Sequence, residues 1–331
     1  MITLGIESSC DETSCGILSD GDNVLSNVIL TQEIHSEFGG VVPEIASREH
    51  NKFIYEIVEK ALNNAKVRMD DIDLIGITNG PGLIGALMVG IAFAKGLAMN
   101  YKKPVIAVNH IEGHILANFI VSNIKLPAVV MMVSGGHTEL ILMKDFGRYH
   151  VLGRTIDDAA GEAFDKVARI LGLGYPGGPK IEKLAEKGDE NYLKLPIAIR
   201  KELNFSFSGI KTAVMYHYRE LSEKDRELHR ADIAASIQKA IAENLLYKVE
   251  KAVGTSKPES LILSGGVAAN SYIRNKFEKF SSEIGVDFYA PPLKLCTDNG
   301  IMVAKAAYEN YIRGTATYNL NPVPNLKLIE V

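Results

Sequence analysis

The chain is 331 residues long, about two domains' worth of sequence at roughly 150 residues each, and too long for a peptide or a disulfide-stapled module. Hydrophobic residues make up 47 % and charged residues 23 %, which supplies a large core and excludes wholesale disorder. Lys plus Arg total 36 against 40 Asp plus Glu, a net charge of −4, so no bulk basic character announces a nucleic-acid binder. Cys10, Cys15 and Cys296 are too few for a disulfide framework and are spaced for no Cys-rich metal knuckle. That usage is expected of a reducing compartment, the cytosol.

In chain order, the N-terminus meets a charge at Glu7 and lacks the basic start and apolar stretch of a signal peptide. It reads instead as a strand. Residues 3–18 read as apolar strand, small polar turn, apolar strand, the pattern of a hairpin. A mostly helical region follows, then a strand over 74–78 that runs into Gly80, Gly82 and a helix, then a strand over 104–108. The charge-free stretch 74–94 has the length of a membrane span. The turn cluster Asn79, Gly80, Pro81, Gly82 would break such a span and leave backbone groups unsatisfied in lipid, so no membrane segment is expected.

Residues 128–143 begin the same order again: a hairpin, a helical region, a strand over 261–263 running into Gly265 and Gly266, and a helix. The second copy carries an insertion over about 157–230 rich in helix signals. The pattern predicts a duplicated α/β core, with a first lobe over 1–120 and a second over 121–331. Ligands in such sheets bind at the carboxyl ends of strands, where these glycine turns fall, and the two lobes are expected to meet at a cleft.

Gly80-Pro81-Gly82-Leu83-Ile84-Gly85 has the G-x-G-x-x-G spacing after a strand and before a helix. A dinucleotide site also wants an acid at the end of the next strand to hold ribose hydroxyls, and Asn109 and His110 stand there instead. A second such spacing, over 172–177, follows a predicted helix and reads as a helix terminator and turn. No G-x-x-x-x-G-K-[ST] occurs, which excludes a Walker-type NTPase.

His110-Ile111-Glu112-Gly113-His114 places two imidazoles four residues apart, on one face of a helix that Asn109 would cap. This spacing suits a metal, and equally a pair of surface or core histidines. Glu112 is not where a metalloprotease base belongs. Asp298, before a predicted helix, is the candidate third ligand; its competing role is that of a helix cap. Two histidines and a carboxylate would make an open Fe(II) or zinc site. The small-residue turns Val133-Ser134-Gly135-Gly136-His137 and Ser264-Gly265-Gly266 are shaped to close backbone N–H groups on phosphate or carbonyl oxygen, and suggest a nucleotide. Asp157, Asp158, Glu162 and Asp165 fall on the insertion, where acids ordinarily form a solvated face.

These motifs, together with Gly5-Ile6-Glu7-Ser8-Ser9-Cys10-Asp11-Glu12-Thr13, the run from Asp157 to Lys166, Phe205-Ser206-Phe207-Ser208-Gly209-Ile210-Lys211 and the run from Ser264 to Asn270, closely resemble the bacterial TsaD family. The resemblance runs from about residue 3 to residue 305. It implies an α/β, duplicated actin-like ATPase (ribonuclease H-like) fold around a nucleotide cleft. It also implies a tRNA N6-adenosine threonylcarbamoyltransferase, which moves threonylcarbamoyl from threonylcarbamoyl-adenylate to adenosine 37 of tRNAs reading codons that start with A. By motif, His110, His114 and Asp298 would hold one divalent metal, Fe(II) or zinc. Val133, Ser134, Gly135, Gly136, His137, Asp165, Gly178, Glu182 and Asn270 would bind the adenylate, and His137 or Asp165 would take the proton from N6.

The resemblance further implies work on tRNA with the proteins TsaB and TsaE, and no membrane. The only basic concentration is Lys194, Arg200, Lys201 and Lys211 on the insertion. Two other readings share the fold: a small-molecule kinase, and an actin-like or chaperone ATPase acting as an interaction protein.

Overall fold

The computed structural model describes residues 1–198 and 201–328, in two compact units: Met1–Asn123 with the segment from Thr297, and Ile124–Cys296. In the first unit β1 (Ile2–Glu7), β2 (Glu12–Ser19) and β3 (Asn23–Thr31) form an antiparallel meander. The short α1 (His35–Phe38) leads into α2 (Pro43–Ala65), followed by β4 (Leu74–Gly80), α3 (Ile84–Tyr101), β5 (Val105–Asn109) and α4 (His110–Leu116). β4 and β5 join β1 in parallel, giving the order β3-β2-β1-β4-β5. β4 is buried along its whole length, as its nearly continuous apolar run requires of a parallel strand covered on both faces.

The second unit repeats this plan. β6 (Ala128–Val133), β7 (Thr138–Asp145) and β8 (Arg148–Arg154) form the meander. After α5 (Ala160–Ile170), α6 (Gly177–Ala185), α7 (Ser208–Glu220), α8 (Glu223–Leu228) and α9 (Arg230–Ser256), β9 (Ser260–Ser264) pairs parallel with β6. Then come α10 (Ser271–Ile284), β10 (Asp287–Tyr289) and α11 (Leu293–Cys296), and the sheet order is β10-β9-β6-β7-β8. The two sheets correspond strand for strand, so the duplicated α/β core expected from sequence is present, and α5 to α8 fill the expected insertion. All three cysteines are free thiols.

The last helix, α12 (Gly300–Ile312), departs from the expected division, which assigned everything after residue 120 to the second lobe. It packs on β1, β2 and β4 of the first sheet and belongs to the first unit. Ile301, Val303, Ala304 and Ala307 are fully buried there. The approach is backbone to backbone: a Cβ at Gly5 would collide with the carbonyl of Gly300, one at Gly16 with the amide of Ile301, and one at Gly300 with the amide of Gly16. Glycine at these positions is therefore what lets helix and sheet touch. Chain order cannot reveal it.

Both G-x-G-x-x-G spacings serve local structure. Val323 donates its N–H to Asn79 O, Gly82 donates to Pro324 O, and a Cβ at Gly82 would lie 2.6 Å from Ser9 O. The first turn is thus packed with protein where a dinucleotide would need room. At the second, Gly172 (φ 67°) and Gly174 (φ 77°) end α5, with Leu173 N–H bonded back to Ala168 O. α3 is long and apolar enough to cross a membrane by length and composition alone. Leu87, Ile91 and Ala94 on its inner face are buried in the first core, the position of a core helix in an α/β layer.

The segment around Phe207 shows what one of the insertion's acids does. Phe205 and Phe207 are buried in the second core, while Ser206 Oγ, Ser208 Oγ and the Phe207 N–H all donate to the Asp157 carboxylate. Burial pushes Asp157 up, but these donors outweigh it and hold the carboxyl below its ordinary value of 3.8. The sign follows directly: the clamp stabilises fully above about pH 3.8 and is lost as pH falls through the folded value. Asp157→Asn is expected to cost about 1 kcal/mol at neutral pH after solvent screening. In thermal melts the gap between wild type and variant should begin to narrow as pH falls below about 3.8; a gap as large at pH 3 as at pH 7 would reject the clamp.

Candidate active site

The first cluster is built at the carboxyl ends of neighbouring parallel strands. Asn109 ends β5 and caps α4, its side-chain oxygen accepting from the N–H groups of Ile111 and Glu112. His110 and His114 follow one helical turn apart, 5 % and 1 % exposed. Asp298 arrives from the segment that precedes α12. His114 Nε2 lies 2.9 Å from Asp298 Oδ1, and His110 Nε2 lies 3.5 Å from the same oxygen. The three ligand atoms are all within 4.8 Å of one another. The capping role that competed for Asp298 is taken by Asn299, whose side chain accepts from the Met302 N–H.

Electrostatics at this cluster favour a cation. Burial pushes His110 down, but the carboxylates of Asp298 and Glu7 outweigh it and raise its pKa to about 9. Burial, then Asp298 and Asp11, push Glu12 well above the ordinary carboxyl range. Burial, then Asp11 and Asp298, push the Cys10 thiol well above its own ordinary value. Two imidazoles and a carboxylate amid this excess of negative charge fit a divalent ion of the borderline type, so the group could bind one metal.

Glu112 points elsewhere, its Oε2 accepting from Asn310 Nδ2 at 2.9 Å and so tying α4 to α12. Glu112→Gln, which keeps an acceptor oxygen, is expected to leave metal content unchanged and to cost about 1 kcal/mol in urea unfolding. Loss of bound metal in that variant would show that Glu112 belongs to the site.

The second cluster lies in the second unit. Val133 ends β6 and is fully buried; Ser134 N–H bonds to His137 O, and His137 N–H to Ser134 Oγ, closing the turn. A Cβ at Gly161, at the start of α5, would lie 2.6 Å from Ser134 O. Another at Gly265 (φ 90°) would lie 2.5 Å from Val133 O, so the two glycine turns abut. By contrast a Cβ on Gly135, Gly136, Gly178 or Gly266 would meet nothing within 4 Å. These four glycines border open space.

The remaining predicted residues are linked around the same place. Asp165 Oδ1 accepts the Gly177 N–H at 2.7 Å, which sets the start of α6 beside α5 and carries Gly178. Glu182 on α6 accepts the Ser271 N–H and hydroxyl at the start of α10. Asn270 caps α10 through the Ile273 N–H and donates its Nδ2 to Gln238 Oε1 at 2.9 Å. A cavity of about 250 Å³ opens here, lined by Glu182, Gly188, Glu190, Gln238, Ser271 and Tyr272. Of the basic residues, Lys211 lies 4.0 Å from Asp158, and Arg200 lies outside the described residues.

Two residues in these clusters carry weight that sequence reading did not give them. Gln238 orients Asn270, and nothing in its helical surroundings distinguishes it. Glu7 stands behind His110; the available signal was a lone acid ending an otherwise uncharged buried strand.

Comparison with known proteins agrees with this architecture. HypF from T. kodakarensis superposes with a TM-score of 0.66 at 15 % identity, over 97 % of this chain and 49 % of its own. Component A of the Acidaminococcus fermentans (R)-2-hydroxyglutaryl-CoA dehydratase gives 0.57 at 18 % identity, over 94 % of this chain and 99 % of its own. These likenesses show the fold, the duplicated actin-like ATPase α/β fold. In sequence, the chain is 54 % identical to the tRNA N6-adenosine threonylcarbamoyltransferase of Thermosipho africanus, over 99 % of this chain and all of that protein. It is 52 % identical to the protein of that name from Dictyoglomus turgidum, over the full length of both. Residues 23–305 match the family model described as TsaD, tRNA N6-adenosine threonylcarbamoyltransferase. With this coverage and identity, the chain belongs to the TsaD family.

Proposed function

We propose that this chain transfers the threonylcarbamoyl group from threonylcarbamoyl-adenylate to N6 of adenosine 37 in tRNAs reading codons that start with A. The observation that carries the reading is the convergence of His110, His114 and Asp298, from chain segments 184 residues apart, in a member of this family. His110 Nε2, His114 Nε2 and an Asp298 oxygen would hold the metal, Fe(II) or zinc. When bound, such an ion supplies Lewis-acid polarisation of an oxygen.

The rest of the chemistry falls to the chain's own groups. An acyl adenylate already carries a good leaving group, so the protein must mainly position the amine against the carbonyl and stabilise the developing oxyanion. The open turns at Gly135, Gly136 and Gly266 present backbone N–H groups to the adenylate phosphate, with Gly178, Glu182 and Asn270 beside the nucleoside. The N6 lone pair attacks the carbamoyl carbon, the C–O bond to the phosphate breaks with its electron pair, and AMP leaves. The amine proton goes to His137 or Asp165. Asp165 already accepts the Gly177 N–H, which favours His137 as the base. His137→Ala is expected to slow single-turnover transfer about 10²-fold; an unchanged rate would pass the role to Asp165.

The tRNA is held by the lysines of the insertion, Lys194, Lys201 and Lys211, through phosphate contacts that weaken with salt. Partner proteins TsaB and TsaE complete the system in the cytoplasm. An exposed groove of about 410 Å³ between α2 and α3, lined by Ile54, Tyr55, Met88, Val89 and Phe93, supports a helical partner surface for TsaB. Labelled threonylcarbamoyl-adenylate, unmodified tRNA, the purified chain and its partners test the reading. Label on adenosine 37 upholds it; no label, with ATP turnover on a small substrate, moves the function to a kinase of the same fold.

A further inference from the structure

Behind the histidine pair lies a carboxylate that the proposed reaction does not use. We propose that Glu7 is a positioning residue for metal ligation, which accepts the Nδ1 proton of His110 and so presents Nε2 to the ion; this rests on the metal-centre reading above. Glu7 ends β1 and is completely buried. It stands beside Thr78 of β4 and, past β5, His110, so three neighbouring parallel strands aim these side chains at one point.

Its hydrogen bonds define its orientation. Oε1 accepts the Ser9 N–H at 2.6 Å, and Oε2 accepts the Thr78 hydroxyl at 2.7 Å. That same Oε2 lies 3.2 Å from His110 Nδ1. A buried carboxylate is tolerated only when its oxygens are matched by donors, and Nδ1–H is the donor this geometry calls for. With a proton kept on Nδ1, the nitrogen left to exchange its proton for an ion is Nε2, which faces Asp298 Oδ1, where His114 Nε2 also converges. Ser9 Oγ, 3.2 Å from Nδ1, cannot impose this choice, because a hydroxyl donates or accepts equally well.

An ionised carboxylate has no proton to give, so facing Nδ1 it fixes the tautomer. A second, energetic effect follows from the same contact: the carboxylate raises the basicity of the ligating nitrogen. A neutral side chain with an acceptor oxygen could receive the Ser9 N–H and the Thr78 hydroxyl, which need no negative charge. The acid is explained by the histidine it faces.

Zn(II) and Co(II) alone are the probes. Each is titrated into the purified metal-free chain and into Glu7→Gln, in competition with a chromophoric chelator. Glutamine keeps the size of the side chain, but it can turn its N–H toward Nδ1 and shift the proton to Nε2. The expected result is 10- to 100-fold weaker binding of both ions by Glu7→Gln, with the melting temperature of the metal-free protein little changed. In the Zn(II)-loaded wild type, ring ¹⁵N spectra should show His110 protonated at Nδ1 and ligated through Nε2. Equal affinity in the two proteins, or a proton on Nε2 in the loaded wild type, overturns the role of Glu7. A wild-type chain that binds neither ion overturns the metal-centre reading and this inference with it. If Glu7→Gln does not fold, the wild-type spectrum decides.

Discussion

The double variant His110→Ala/His114→Ala is expected to lose bound metal and to slow threonylcarbamoyl transfer by about 10³-fold, the scale set by removing a principal stabiliser of a developing oxyanion. Both imidazoles are almost wholly buried, and Asp298 keeps its side chain 16 % exposed between them and solvent. Without them Asp298 is a single carboxylate, which does not hold a borderline ion. Because the variant also takes both histidines from a largely buried carboxylate, it must be shown to fold by its melting profile. His114→Gln is the gentler control, keeping polarity while removing the ligand nitrogen. A folded double variant that transfers at the wild-type rate would remove the metal from the reaction.

The second large effect concerns the helix that delivers Asp298. Gly16→Val is expected to destabilise the first unit by about 3 kcal/mol or more, since its side chain would have to occupy the place of the α12 backbone near Ile301. Overpacking of this kind is relieved only by moving the helix. Gly300 N–H also bonds to Ser14 Oγ at 2.7 Å, so a displaced α12 takes Asp298 with it and metal affinity falls together with stability. The urea unfolding midpoint and a Zn(II) titration on the same preparation measure both. A variant with an unchanged midpoint would mean that the approach of α12 to the sheet is not tight.

Much of the architecture was legible because it is local or repeated. The hairpins over 3–18 and 128–143 are alternations of apolar strand and small turn, and both are antiparallel pairs in the structure. The capping of α4 by Asn109 and the four-residue spacing of His110 and His114 follow from helix geometry alone. So does the failure of Glu112 to occupy the base position of a metalloprotease. The G-x-G-x-x-G spacing at Gly80 shows the opposite case: the pattern is local, but the Val323–Leu326 segment that fills its space is not.

The sequence by itself determined the duplicated α/β plan, the helical insertion, the membership of the family and the residue types available for ligation, since each is written in short-range periodicity or in contiguous motifs. Only the tertiary structure decided which of Asp298 and Asn299 caps α12 and which faces the histidines. It also decided that α12 lies on the first sheet, that Asp157 clamps the Phe207 segment, and that Glu7 stands behind His110. Each of these depends on where backbones can approach. Glycines far apart in the chain set that approach at Gly5, Gly16 and Gly300, and no periodicity along the chain encodes a contact between residues hundreds of positions apart.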